Sequence, residues 1–472
     1  MTPAEVSAFR THFFRRLTLG PLEPDDPQYV RLYDLPEMRA EDPVELLRFA
    51  IETNPAPTAQ LVSGFRGTGK STELRRLRKV LMADGHKVLL CDIEDYLNTG
   101  QAIDPVDFLY AFVLAVSGAL VEQQGMQDPL HEGYITRLRN FLVRTEVEVP
   151  ELSAGVKAAG DVGAVKAEAS AGLKLVLKDN PTFREKARTR WKGSIGRLVE
   201  EVHAYVDGLA ETLHQKLPAD KRVVVIIDSI EHIQGTLDDA PKVQASIEQL
   251  FSVHSSMLHF PGIHTVYTVH PYLKIKYANI DDYFPTGGLQ IIPTMKVRDR
   301  VKVKNSEDVG PPRQSALDAF AQVVEARGEW WNLLGSGADG RARLDALILA
   351  SGGHLRDLMR LLAEVVRRTR ELPASQEVVD AATNHVRNQA LPIADDDAEW
   401  LAEIARSHST CLPSDARLPS LARFLDTHRV LCYRNGTEWF DVHPLIRDAV
   451  LEQAAAVRAR KAAQQASAAP TS

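Results

Sequence analysis

Between Leu61 and Leu77 the chain reads LVSGFRGTGKSTELRRL. Within it Gly64-Phe65-Arg66-Gly67-Thr68-Gly69-Lys70-Ser71 satisfies the pattern G-x-x-x-x-G-K-[ST] in full. Each residue type has a physical task there. Glycines admit positive φ and let main-chain amides approach an anion closely. Successive N–H groups then form an anion nest, and the N-terminus of a following helix adds its dipole. The Lys70 ammonium suits the β- and γ-phosphates of a nucleoside triphosphate, and the Ser71 hydroxyl suits Mg2+. Gly64, Arg66, Gly67, Thr68, Gly69, Lys70, Ser71 and Thr72 are therefore the candidate nucleotide-binding residues. A second acid is needed on the metal side. Asp228 ends the β-branched run RVVVIID, and an acid at the carboxyl end of a central buried strand suits that place. Ser71 and Asp228 are the candidate metal ligands.

The flanking residues supply the elements such a loop requires. QLV precedes it as a strand, and STELRRLRKVLM follows as a helix with Leu74, Leu77 and Leu81 on one face. Further strands are expected in KVLLCDIED (Lys87–Asp95), RVVVIID, HTVYTV (His264–Val269) and LQIIPTMKV (Leu289–Val297). Between them lie a long apolar helix, PVDFLYAFVLAVSGALVEQQ, and a polar helical stretch from Phe183 to Leu217. Strands alternating with helices predict an α/β fold, a parallel sheet covered on both faces. Upstream, EDPVELLRFAIET reads as a helix with Asp42 as N-cap and Pro43 at its first position.

The predicted organisation is an N-terminal segment over 1–40, mixed and punctuated by prolines, then a phosphate-loop domain over 41–310. Helical patterns over 311–390 form a lid domain, 391–455 a winged-helix-like domain, and 456–472 a flexible tail or frayed helix. The winged-helix-like reading rests on two helices, Ala398–Arg406 and Leu418–Thr427, followed by a hairpin about Asn435-Gly436. An Ala/Gly/Lys-rich insertion over 151–180 reads either as a flexible or hairpin-forming segment or as a contact ribbon.

Composition narrows the class. The 472 residues are 44% hydrophobic and 25% charged with a formal net charge of −7. That balance argues against a surface built throughout for nucleic acid or anionic lipid and leaves room for a local basic patch. Three scattered cysteines with no CxxC pair argue against a disulfide framework and for a reducing compartment. The expected location is cytoplasmic, with no membrane partner.

These residues resemble the AAA+ and STAND branches of the P-loop ATPases over about residues 40–390, and to the chain end with the C-terminal module. Besides the loop and the VVVIID strand, HTVYTVHP stands where sensor 1 sits. SGGHLRDLMRLL (Ser351–Leu362) is similar to the sensor 2 motif of origin-recognition-type AAA+ proteins, with Arg356 at the arginine position. The resemblance implies ATP with Mg2+ as ligand, Lys70, Asp228, Glu231 and Arg356 as the catalytic set, and Arg356 as the residue that reaches the γ-phosphate from the lid. Ser229 replaces the glutamate that many AAA+ enzymes carry after the strand acid. Glu231, at NACHT-like spacing, is the candidate for activating water, and slow turnover follows. Thr268 and His270 remain alternatives for sensor 1, and Arg298 and Arg300 are candidate fingers. No [NT]KxD guanine motif is present.

The resemblance implies a nucleotide-dependent switch that couples lid movement to a protein partner or self-assembly, in bacterial signalling or defence. The alternative is a DNA-binding ATPase of the origin-recognition or transposition-regulator type. Against it, residues 391–450 hold more acids than bases, and the expected wing offers Arg434 alone as a cation.

Overall fold

The structure is a computed structural model that describes residues 2–17, 19–39, 41–123, 137–138, 140–142, 144–145, 178, 181–235, 239–285, 287–300, 308–410, 412–434 and 438–468. In chain order its longer helices are α1 (Pro3–Arg16), α2 (Pro43–Thr53), α3 (Lys70–Ala83), α4 (Pro105–Gln123), α5 (Pro181–Trp191), α6 (Ile195–His214), α7 (Ala240–Phe251), α8 (Gln314–Glu325), α9 (Gly337–Ala350), α10 (Leu355–Arg368), α11 (Gln376–Gln389), α12 (Asp395–Ser407), α13 (Leu418–Asp426) and α14 (Pro444–Ala468). The strands are β1 (Ala59–Gly64), β2 (Lys87–Asp92), β3 (Val223–Asp228), β4 (His264–Val269), β5 (Leu289–Ile292), β6 (Val430–Tyr433) and β7 (Trp439–Val442). The chain divides into two compact units. One comprises Met1–Asp42, Gly64–Thr72 and Ile292–Ser472, the other Pro43–Ser63 and Glu73–Ile291.

The second unit holds the sheet, in the order β2-β3-β4-β1-β5. The β2–β3, β3–β4 and β4–β1 pairs are parallel. Every residue of β3 and β4 is buried, as expected of apolar, β-branched runs with both sheet faces covered. The connection leaving β1 runs toward β2, and the one leaving β4 runs to β5 on the other side. Open α/β sheets bind ligands at the carboxyl ends of strands where the winding reverses in this way. Helix α4 is buried almost all round, consistent with its lack of a polar face.

Three local expectations change. The Lys87–Asp95 strand stops at Asp92, and Ile93–Asp95 form a short 3-10 turn. The Leu289–Val297 strand stops at Ile292, because Pro293 has no N–H to continue the ladder. The helical stretch from Phe183 to Leu217 is two helices, broken at Gly193, whose φ is +78°.

Among the described residues, the regular structure of the first unit is mainly helical, with the β6–β7 hairpin. Helix α10 buries Leu358, Met359, Leu361, Leu362, Val365 and Val366 in a core shared with α8, α9 and α11. Phe13 of α1 joins that core, and Arg10 donates to the Val366 and Arg367 carbonyls at 3.0 Å each, capping the end of α10. Helix α1 corrects the reading of residues 1–40 as mixed. Its signal was a capping box, in which Thr2 and Glu5 bond reciprocally. The C-terminal part runs α12, α13, the antiparallel hairpin and then α14, which packs on α12. This is the helix–helix–hairpin order expected there. The Asn435-Gly436 turn and the insertion over 151–180, save Lys178, lie outside the described residues. Helix α14 continues to Ala468 where the sequence reading allowed a tail. No helix among the described residues is long and apolar enough to cross a membrane.

Candidate nucleotide site

The glycine loop is placed by its neighbours in the first unit. Gly64, Gly67 and Gly69 take φ of +156°, +91° and +101°. A Cβ at Gly64 would lie 2.5 Å from the Ile292 carbonyl oxygen, and one at Gly67 only 2.6 Å from the Arg356 Cβ. Both positions therefore exclude any side chain. Inside the turn, Thr68 donates from N (3.3 Å) and Oγ1 (2.9 Å) to the Phe65 carbonyl. Lys70 is 4% exposed, and its Nζ donates to the Gly64 (2.8 Å) and Phe65 (2.9 Å) carbonyls. The ammonium is thus held in the concavity of the loop, at the first residue of α3. Ser71 and Thr72 follow in the first turn, and Thr72 Oγ1 accepts from the Leu22 amide at 3.1 Å.

Arg356, the second residue of α10, lies against this loop. It is half-buried, and burial pushes its guanidinium below the ordinary arginine range. The Arg66 cation pushes the same way and Asp357 opposes. Two cations crowded beside a nest of amides make a positive field that a polyanion relieves. His354 Nε2 lies 2.9 Å from the Arg66 carbonyl oxygen, which ties the start of α10 to the loop. The sequence offered Arg66, Gly67 and Arg356 as separate candidates, and the structure places Arg356 against Gly67.

In the second unit the acidic candidates follow β3. Asp228 is 7% exposed, in register with Asp92 at the carboxyl edge of the sheet, and its Oδ1 accepts from the Ser229 amide at 2.8 Å. Ser229 takes φ +70°, a left-handed turn that leads directly into a 3-10 turn at Ile230–His232. Glu231 is buried in that turn. The two sensor 1 candidates both support it. Thr268 Oγ1 accepts from the Ile230 amide at 3.0 Å, and His270 Nε2 lies 3.0 Å from the Ile233 carbonyl. Of the finger candidates, Arg298 donates to the Gly310 carbonyl at 3.0 Å within its own unit, while Arg300 is exposed.

The sequence reading missed a group of side chains beside the loop. Asp357 Oδ2 lies 2.7 Å from His354 Nδ1 and 3.3 Å from both His428 Nδ1 and His443 Nε2. Burial raises the Asp357 carboxyl, but the three imidazoles outweigh it and hold the group well below the usual carboxylate range. These histidines lie far apart along the chain, and no spacing rule links them. The signal present in sequence was a histidine next to the Gly352-Gly353 turn.

A phosphate-type loop at the end of a strand in a parallel sheet, closed by a helix that begins with its lysine, defines a P-loop NTPase fold. No protein-family model matches the sequence, and no curated protein sequence matches it significantly. Among solved structures the chain is similar in shape to Cdc6p from Pyrobaculum aerophilum, at 10% identity and a TM-score of 0.38 over 95% of this chain and 98% of that one. It is also similar to a Walker-type ATPase of Pyrococcus abyssi, at 13% identity and 0.42 over 93% and 99%. A third is the ORC2 protein of Aeropyrum pernix in its ADPNP–ADP complexes, at 12% identity and 0.41 over 95% and 98%. The chemistry of the site rests on this chain's own residues.

Proposed function

We propose that the protein binds ATP with Mg2+ at the Gly64–Thr72 loop and acts as a slowly hydrolysing switch of AAA+/STAND type. The observation that carries this reading is the packing of Arg356 on Gly67, with Arg66 and the buried Lys70 ammonium in the same loop. Loop amides and Lys70 hold the phosphates, and Arg356 contacts the γ-phosphate, so that α10 responds to its presence. Ser71 and Asp228 are the proposed Mg2+ ligands, and Glu231 orients the attacking water. Mg2+ held by those two residues would supply positive charge that offsets the charge on the phosphates. Ser229 in place of a second acid directly after Asp228 favours slow turnover. The output is a protein partner or self-assembly, in a signalling or defence setting.

A DNA-reading output is disfavoured by charge. Arg434, the wing cation, lies 3.8 Å from Glu41, and the surrounding module is acidic.

Isothermal titration with ATP and ADP in the presence of Mg2+ tests the reading. Lys70→Ala should weaken ATP at least tenfold, the scale of one lost charge-assisted bond of about 1.5–3 kcal/mol. Arg356→Ala should weaken ATP and leave ADP unchanged. Equal weakening of both would remove the γ-phosphate role. Glu231→Gln should bind ATP normally and release phosphate at least tenfold more slowly, and undiminished release would exclude Glu231 as the water-activating group.

A further inference from the structure

We propose that His354, Asp357 and His428 form a site for one divalent transition-metal ion of the zinc type, separate from the nucleotide's Mg2+. One ligand atom from each residue lies within 4.8 Å of the others. His354 is fully buried and Asp357 nearly so, at 3% exposed. Their placement comes from two elements of the first unit. His354 precedes α10, Asp357 sits in its first turn, and His428 lies just beyond α13 at φ +57°.

The geometry of the donor atoms argues for a cation at this point. The Arg66 carbonyl can only accept, so His354 must carry its hydrogen on Nε2. Its Nδ1 lies 2.7 Å from Asp357 Oδ2, and His428 Nδ1 lies 3.3 Å from the same oxygen. Nitrogen atoms of two imidazoles thus converge on one buried carboxylate oxygen, the arrangement that ligands of a single ion adopt. The Arg66 carbonyl on the far nitrogen is the second-sphere partner that fixes the ring of a metal-bound histidine. Asp357 Oδ1 accepts from Arg360 Nη1 at 2.8 Å, which orients the carboxylate and leaves Oδ2 for the ion.

His443 is not a ligand in this scheme. Its Nδ1 accepts from the Leu445 amide at 3.2 Å, so Nε2 carries the hydrogen that faces Asp357. Two imidazoles and one carboxylate suit Zn2+ and disfavour Mg2+ or Ca2+, which take oxygen donors. A cavity of about 170 Å³, lined in part by Asp357, Thr427, His428 and His443, gives the ion an entry path and room for a water ligand. An ion there would join the start of α10, which carries Arg356, to the turn after α13, and so stiffen the contact that ends on the loop carbonyl of Arg66.

The experiment uses the full, tag-free chain, stripped with chelator and without nucleotide, so its outcome does not depend on the ATP reading. Titration with Co2+ should produce visible d–d bands that saturate at one ion per chain and are bleached by Zn2+. Zn2+ should raise the thermal midpoint. His428→Ala should lose the bands and the Zn2+ shift while unfolding at the same temperature as the metal-free wild type. His443→Gln should retain both, and Asp228→Asn should retain both, which separates this site from the nucleotide's. Should His428→Ala fail to fold, His354→Gln serves as the second ligand variant, with the same expected loss. Absence of Co2+ bands in the wild type, or equal binding by His428→Ala, would overturn the proposal and leave His354 paired directly with Asp357.

Discussion

Gly67 lies at φ +91°, and any Cβ there would stand 2.6 Å from the Arg356 Cβ and 2.9 Å from its Nε. The residue is thus required twice, once by its own backbone and once by the arginine that closes on it. Gly69 offers a contrast. It too has positive φ, but its nearest neighbour is Leu355 Cδ1 at an ordinary 3.9 Å. Gly67→Ala and Gly69→Ala should each cost about 1–2 kcal/mol of backbone strain. The Gly67 variant should in addition displace Arg356 and abolish the preference for ATP over ADP, which the Gly69 variant keeps. Paired titrations with the two nucleotides decide this, and an intact preference in Gly67→Ala would show that Arg356 does not act through that contact.

Among the elements, β4 carries a pH-sensitive anchor. His264, its first residue, is 2% exposed, and its Nδ1 accepts from the Thr58 amide at 3.2 Å beside β1. Burial, with Arg222, His86 and His214 nearby, pushes its pKa down to about 4. A histidine lowered from 6.5 to about 4 binds fewer protons folded than unfolded between those values. Its contribution is therefore complete above pH 6.5 and is lost as the pH falls toward 4. Between pH 7 and pH 5 the loss is about 2 kcal/mol. Hydrogen–deuterium exchange at the β1 and β4 amides should show protection falling about thirtyfold over that range in the wild type. His264→Gln, which cannot titrate, should show no such pH-dependent fall. An equal fall in both would assign it to other groups. The same strand illustrates what apolar patterning can give: HTVYTV is a strand from its first to its last residue.

At the scale of the whole molecule, the two compact units are each assembled from separated lengths of chain, and the nine residues Gly64–Thr72 group with the helical unit. On the proposed reading, nucleotide at that loop would bear directly on the unit that contains α10 and the β6–β7 hairpin. Size-exclusion chromatography with light scattering, with and without a non-hydrolysable ATP analogue, should show a rise in molar mass with the analogue. ADP and Lys70→Ala should leave the mass unchanged. A constant mass throughout removes self-assembly and leaves engagement of a separate protein as the output. With a net charge of −7 and Arg434 facing Glu41, duplex DNA should not be retained at about 0.15 M salt. Salt-dependent retention there would instead favour the DNA-binding alternative.

The sequence by itself determined what depends on local order along the chain. The G-x-x-x-x-G-K-S loop and the β-branched strand ending in Asp228 each concern neighbours within a few residues, where backbone geometry and side-chain period follow from residue type. Strand ends were less legible, because Pro293 and the turn after Asp92 act through hydrogen bonds that composition does not count. The tertiary structure alone decided that Arg356 packs on Gly67 and that His354, Asp357, His428 and His443 converge. Those groups are brought together by burial of distant apolar helix faces, a long-range effect that leaves no periodicity at the histidines themselves.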